Sequence, residues 1–223
     1  MKSFIKYTMA TVVGIFLTMT LFTIISIISL AGMMATEGMS APIKEKSILR
    51  LDLSGTLAER SDSNPFAALM GEENTALSLE DALLALDKAA KNENIIGVYL
   101  EGGAMGANPG MAQELRQALV EFKESGKWVV AYGDSYGKTA YYLSSVADSV
   151  LLNPEGNVDF GGMASQIMFY KDVMEKVGVK MQVFKVGTYK SAVEPFICTE
   201  MSPANREQVT SYLFSIWTNM LKD

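Results

Sequence analysis

Lys190 lies in the stretch GTYKSAVEPF, residues 187–196, between Tyr189 and Ser191, in a chain of 223 residues that contains no histidine. Without imidazole, no Ser-His-Asp or Cys-His arrangement can be assembled from these residues, so proton transfer at a nucleophile falls to lysine or to carboxylates. A lysine that takes a proton from a serine hydroxyl has to be neutral, which requires its pKa to drop from about 10.4 towards 7 or 8. That is roughly 4 kcal/mol of disfavoured charge, reached by burial among apolar groups. Tyr189, Ala192, Val193 and Phe196 are suitable neighbours in sequence. Glu194, four residues on, offers the opposite reading, an i,i+4 ion pair that holds the amine charged. Pro195 biases Glu194 away from helical conformation and weakens that pairing. The residues by themselves leave Lys190 as either solvated charge or general base.

Ser135 in GDSYG (133–137) fits G-x-S-x-G, the turn that exposes a nucleophile after a strand. That chemistry needs a histidine, so the preferred reading is a polar strand-to-helix turn with Ser135 near an N-cap. In EGGAMGANPG (101–110) the glycines at 102, 103, 106 and 110 are out of register with G-x-G-x-x-G, and no ribose-binding acid is marked about 20 residues on. The backbone amides of Gly102 and Gly103, and of Gly161 and Gly162 in VDFGGMA, remain candidates for holding an extended peptide or an oxyanion beyond a strand end. The single Cys198 cannot form an internal disulfide, and the chain lacks the usual ligands for zinc, haem or non-haem iron. No metal or cofactor is expected. Nineteen basic against 25 acidic residues give a net charge of −6, with no basic run to neutralise phosphates, so nucleic acid is not an expected partner.

The elements that must position these residues follow from periodicity. After Lys2 and Lys6, residues 7–36 carry no charge, long enough to cross a bilayer and about twice the apolar core of a cleaved signal peptide. The two lysines place the N-terminus in the cytoplasm and the rest of the chain on the far side. Residues 37–46 read as a linker and 58–76 as a polar loop. Strands are expected at 47–55, 95–100, 127–132, 149–153 and 179–186. Helices are expected from Ser78 with a capping box to Asp81, from about Met111 to Gly126, over 138–147 and 166–177, and from SPAN (202–205) onward with Val209, Leu213, Ile216, Trp217 and Met220 on one face. Alternation of strand and helix at about 30 residues indicates a layered α/β domain. No stop signal ends the last helix, so the chain reads as the front part of a longer protein.

The segment VFKVGTYKSAVEPF, then MSPANREQ and an aromatic helix, resembles the lysine-bearing segment of the signal peptide peptidase A (protease IV) family, peptidase family S49, in its long tandem-repeat form. LDLSG, AYGDSYGKTAYYLSSVADSVLLNPEGNVDFGG and the N-terminal anchor extend the resemblance over nearly the whole chain. It implies a ClpP/crotonase-like fold of repeated β-β-α units after one transmembrane helix, with 1–36 as anchor, 37–46 as linker and 47–223 as the N-terminal repeat. It also implies a homo-oligomeric serine endopeptidase of the bacterial inner membrane, with its catalytic domain on the periplasmic side, that degrades cleaved signal peptides. Lys190 matches the family's general base, and the nucleophilic serine belongs to a second repeat. Lys138 occupies the serine's place in the equivalent turn here, with Ser135 three positions away. Tyr189, Ser191, Gly102, Gly103, Gly161 and Gly162 are secondary candidates for positioning or substrate binding. The rival readings are an inactive scaffold of the same fold and a crotonase-type acyl-CoA enzyme using the glycine stretches 101–110 and 156–162.

Overall fold

The structure is a computed structural model that describes residues 2–37, 42–60 and 77–223. Part of the linker expected at 37–46 and most of the polar loop expected at 58–76 lie outside the described residues. Two compact units are present, Met1–Lys44 and Glu45–Asp223.

The first unit is helix α1 (Lys2–Glu37). Within it, Ser3–Ser29 has a mean hydropathy of 2.3, long and apolar enough to cross a membrane. Its large apolar side chains, such as Phe4, Phe16, Phe22 and Ile27, are exposed around the helix. A helix that is apolar on every side suits lipid and not a one-sided core. The hydroxyls of Thr8, Thr11, Thr18, Thr20 and Thr23 each donate to the carbonyl four residues back, at 2.7–3.0 Å. These bonds satisfy the polar groups internally, as hydrocarbon surroundings require.

The second unit is built on five parallel strands: β1 (Ser47–Ala58), β2 (Leu77–Ser78), β3 (Ile95–Gly106), β4 (Trp128–Tyr136) and β5 (Ser149–Val158), in the order β2-β1-β3-β4-β5. Helices α2 (Leu79–Lys91), α3 (Pro109–Glu124) and α4 (Lys138–Ser144) connect them. Ser78 caps α2 by accepting from the Asp81 amide at 3.3 Å, as the capping-box spacing implies. Lys127 donates to the carbonyls of Ala89 and Asn92 and closes the other end.

Because side chains alternate along a strand, one sheet face gathers Leu51, Leu53, Val98, Leu100, Val129 and Ala131 against Leu86, Leu115, Leu119, Phe122 and Leu143 of the three helices. The opposite face holds Ile48, Trp128, Tyr132 and Leu151, all at least partly exposed, together with the Arg50–Glu101 ion pair. The strand expected at 95–100 is two-faced, with Gly97 and Tyr99 paired beside Ile48 and Arg50 on the side away from Val98 and Leu100.

Beyond β5 the order of elements departs from the periodicity. The helix expected over 166–177 is reduced to α5 (Lys171–Lys176), closed at Gly178 by a left-handed turn, and residues 179–186 join no ladder. Alternation marks a segment as able to be a strand, but the ladder needs a neighbour, and sequence does not show one. Helix α4 stops at Ser144, where Ser145 caps it, short of the expected 147. A short α6 (Glu194–Ile197) and the long α7 (Pro203–Lys222) complete the unit. The five expected inward residues of α7 are all half-buried, and Met220 packs on the core.

Leu119 is fully buried where α3 meets the sheet, whereas Leu84 on α2 is half exposed. Leu119→Ala is expected to lower the unfolding free energy by about 2–5 kcal/mol, and Leu84→Ala to change it by less than about 0.5 kcal/mol, both read from urea unfolding curves.

Candidate functional site

The turn that carries Lys190 is entered through Gly187, whose φ of +101° is strained for any side-chain-bearing residue. Around the lysine, each polar neighbour is tied to the start of α7. Tyr189 Oη donates to Glu207 Oε2 at 3.2 Å, which holds the phenol above its ordinary pKa, and Ser191 Oγ donates to Gln208 Oε1 at 3.4 Å. Glu194, only 2% exposed, accepts from Ser202 N at 3.2 Å, Ser202 Oγ at 2.7 Å and Asn205 Nδ2 at 3.0 Å. Ser202 Oγ in turn accepts from the Asn205 amide at 3.2 Å, capping α7. The hydrogen bonds from Ser202 hold the Glu194 carboxyl below its ordinary range despite burial, which pushes it up. The i,i+4 ion pair with Lys190 is not formed: Glu194 points into the fold. Lys190 is exposed and makes no hydrogen bond or ion pair among the described residues. Beside it, Tyr189, Glu207, Gln208, Ser211, Tyr212 and Ile216 line an open groove of about 630 Å³.

Lys138 is placed quite differently. It opens α4, donates from Nζ to the Gly162 carbonyl at 2.7 Å and lies 5.9 Å from the ring centre of Trp217. Trp217 is in turn 5.4 Å from Phe160, which meets Tyr141 edge-on. Lys138, which holds the Gly162 carbonyl, thus lies against the same helix that Tyr189 bonds to, about 15 Å further along it, ten residues from Glu207 to Trp217 at 1.5 Å each. Ser135 is not at an N-cap. It lies inside β4, paired with Asn157, and Gly137 caps α4 without a side-chain bond.

Gly102 and Gly103 are also inside a strand, β3, and not in a loop beyond its end. Gly102 is flanked by Leu53 and Gly133, and a Cβ there would meet Tyr136 Cε1 at 2.4 Å. That ring lies over the glycine, and its hydroxyl donates to the Leu151 carbonyl at 3.0 Å, with burial pushing its pKa up to about 12. The Gly103 carbonyl accepts from the Gly137 amide at 2.9 Å, joining β3 to the start of α4. A larger groove of about 750 Å³ between α2 and α3 is lined by Leu86, Phe122, Asp87, Glu114 and Glu121 and contains none of the sequence candidates.

Ser202, Asn205, Glu207 and Gln208 were not singled out from sequence as site residues. The SPAN cap was legible, but nothing local announces that Ser202 and Asn205 also serve a carboxylate eight and eleven residues back.

The family description "Peptidase family S49" matches residues 121–223. Over 194 residues the chain is 36% identical to Protease 4 of Salmonella typhi, covering 83% of this chain and 31% of that protein. Over 187 residues it is 33% identical to Protease 4 of Haemophilus influenzae, covering 81% and 30%. The chain belongs to peptidase family S49. Its layered α/β sheet is the ClpP-like fold of that family. A plant relative, the chloroplastic serine protease SPPA of Arabidopsis thaliana, is 30% identical over 179 residues, 80% of this chain and 25% of that protein. The chain spans less than a third of the length of these relatives. The S49 match takes in Lys138, Gly161, Gly162, Tyr189, Lys190 and Ser191 and leaves Gly102 and Gly103 outside.

A carboxyl held below its ordinary value of 4.5 stabilises the fold fully above that pH and loses this contribution as pH falls through the lowered folded value. Glu194→Gln is therefore expected to cost about 1–3 kcal/mol at pH 7, measured by denaturant unfolding. The gap to the unmodified protein should close as pH drops below 4.5, where Glu194 takes up a proton.

Proposed function

We propose that this chain is the lysine-bearing repeat of a membrane-anchored S49 serine endopeptidase, with Lys190 as general base and the nucleophilic serine supplied by a second repeat of the fold. The observation that carries this reading is the contrast around Lys190. Tyr189, Ser191 and Glu194 are all engaged with α7, and the lysine amine alone is left without a partner among the described residues, next in sequence to Tyr189, which lines a groove.

In the proposed reaction the neutral Lys190 amine takes the serine hydroxyl proton as the oxygen attacks the peptide carbonyl. The resulting ammonium returns that proton to the leaving amine. The free amine then deprotonates a water, which hydrolyses the acyl-enzyme and restores the serine. Family membership supports peptides as substrates, and we assign them to signal peptides released in the membrane. Residues 1–36 serve as the single-pass anchor, 37–46 as linker and 47–223 as the repeat, on the periplasmic side of a bacterial inner membrane and in a homo-oligomer. The length and apolar surface of α1 support the anchor, and Lys2 and Lys6 support its orientation.

The scaffold reading is favoured by one observation, that Lys138 stands where the family places its serine. The acyl-CoA reading loses support because Gly102 and Gly103 lie within a paired strand. Lys190→Ala and Lys190→Arg in the full-length protein are expected to lower kcat on an apolar peptide by at least about 10³-fold, since neither side chain can act as a base. Retained hydrolysis would falsify the assignment. An inactive full-length parent whose second repeat lacks a serine turn would favour the scaffold.

A further inference from the structure

We propose that Glu194 is the positioning residue for Lys190: its buried carboxylate locks the lysine-bearing turn to the start of α7, so the amine is presented in one place without a carboxylate of its own to neutralise it. This rests on the reading of Lys190 as base.

The backbone connects the two residues tightly. The Glu194 amide donates to the Ser191 carbonyl at 2.9 Å, so the chain between them is closed into a turn, and the Cys198 amide donates to the Glu194 carbonyl at 2.8 Å. A displacement of Glu194 is therefore passed to Ser191 and to the Cα of Lys190. On the upstream side, the Tyr170 amide donates to the Pro195 carbonyl at 2.6 Å, and the Tyr170 ring stacks on Phe196 at 6.1 Å, so the start of α5 braces the same segment. The other two tethers, Tyr189 to Glu207 and Ser191 to Gln208, are exposed bonds at 3.2 and 3.4 Å and are exchanged with water at little cost. Glu194 is the tether removed from solvent, and buried hydrogen bonds to a charged acceptor are the stronger kind.

Both carboxylate oxygens are used. Oε1 receives the Ser202 hydroxyl, and Oε2 receives the Ser202 amide and the Asn205 side chain. The donors form a chain, because the Asn205 amide donates to the same Ser202 hydroxyl that donates to Glu194. A glutamine of the same shape has one uncharged acceptor oxygen: turned toward the Ser202 and Asn205 N–H groups, it leaves its amide nitrogen on Ser202 Oγ, whose hydroxyl then loses its carboxylate acceptor. The isosteric change thus weakens the clamp while removing no volume. The arrangement also separates two demands that conflict in an i,i+4 pair. A carboxylate close enough to fix a lysine by direct contact also stabilises its charged form, whereas one that fixes the backbone leaves the amine free.

The test compares the full-length protein with its Glu194→Gln, Lys190→Ala and Leu119→Ala variants on an apolar peptide, well below their unfolding temperatures. Glu194→Gln is expected to lower kcat about 10–100-fold with KM within about twofold, as misplacement of a reacting group does. Amide hydrogens of residues 191–198 should exchange at least about tenfold faster in that variant. Leu119→Ala should lose stability while keeping kcat. Normal kcat in Glu194→Gln beside an inactive Lys190→Ala overturns the positioning role and leaves the base reading standing. Activity in Lys190→Ala overturns both. An equal loss of kcat in Leu119→Ala reduces the effect to general destabilisation and also overturns the positioning role.

Discussion

All five strands of the sheet run in one direction, and that single constraint decides where everything else goes. A parallel strand cannot return through a hairpin, so each must be followed by a connection long enough to carry the chain back across the sheet. The carboxyl ends of β1, β3 and β4 then fall on one edge, and groups that do not belong in a core collect there. That edge holds the small residues Gly102, Gly103, Ala104 and Gly106, the Asp134–Asn153 contact at 2.8 Å and Lys138 at the start of α4. Crowding at the edge also explains two glycines. Tyr136 folds its ring back over the strand ends, so a Cβ at 102 would meet it at 2.4 Å, and one at 133 would crowd Gly102 Cα and Ser135 O at 3.0 Å. These glycines serve packing, and their position inside the ladder takes them out of a loop role.

Helix α7 is the second organising element, since both lysine neighbourhoods are mounted on it. Its first turns receive Glu194, Tyr189 and Ser191, and its later turns carry Trp217 and Met220 against Phe160 and the core. A helix is stiff over this distance, so the spacing between the Lys190 turn and the Lys138–Gly162 contact is set by rise per residue and not by loops. The segment from 159 to 202, poor in regular structure, is thereby pinned at both ends.

The parts of this arrangement that sequence revealed are those governed by local rules. The capping box at Ser78, the apolar stripe of α3, the SPAN start of α7 and the charge-free run of α1 each express a preference within a few residues, and each forms as read. The parts that did not emerge depend on partners distant in sequence. Residues 179–186 alternate like a strand but have no neighbour to pair with. EGGAMG reads as a glycine loop, yet it is held in β3 because Leu53, Met105 and Gly106 find partners across the sheet. Ser135 looks like a cap residue, but β4 runs four residues past the expected strand 127–132, to Tyr136. Lys190 could be picked out as a base by the missing histidine and a family resemblance. Its anchoring through Glu194 could not, because a glutamate before a proline carries no mark of burial.

On the proposed reading, one physical demand is still unmet within these residues: a lysine base has to be desolvated, and Lys190 is exposed. On that reading, the surface just upstream is suited to meeting the demand. From Lys176 to Lys190 the chain carries four lysines and no acid, and it leaves Phe184 88% and Val186 90% exposed. Apolar side chains turned outward beside the amine are surface that a covering element would bury, and burying them also takes water from the lysine. If the covering element is the repeat that bears the serine, base and nucleophile meet only where water is excluded.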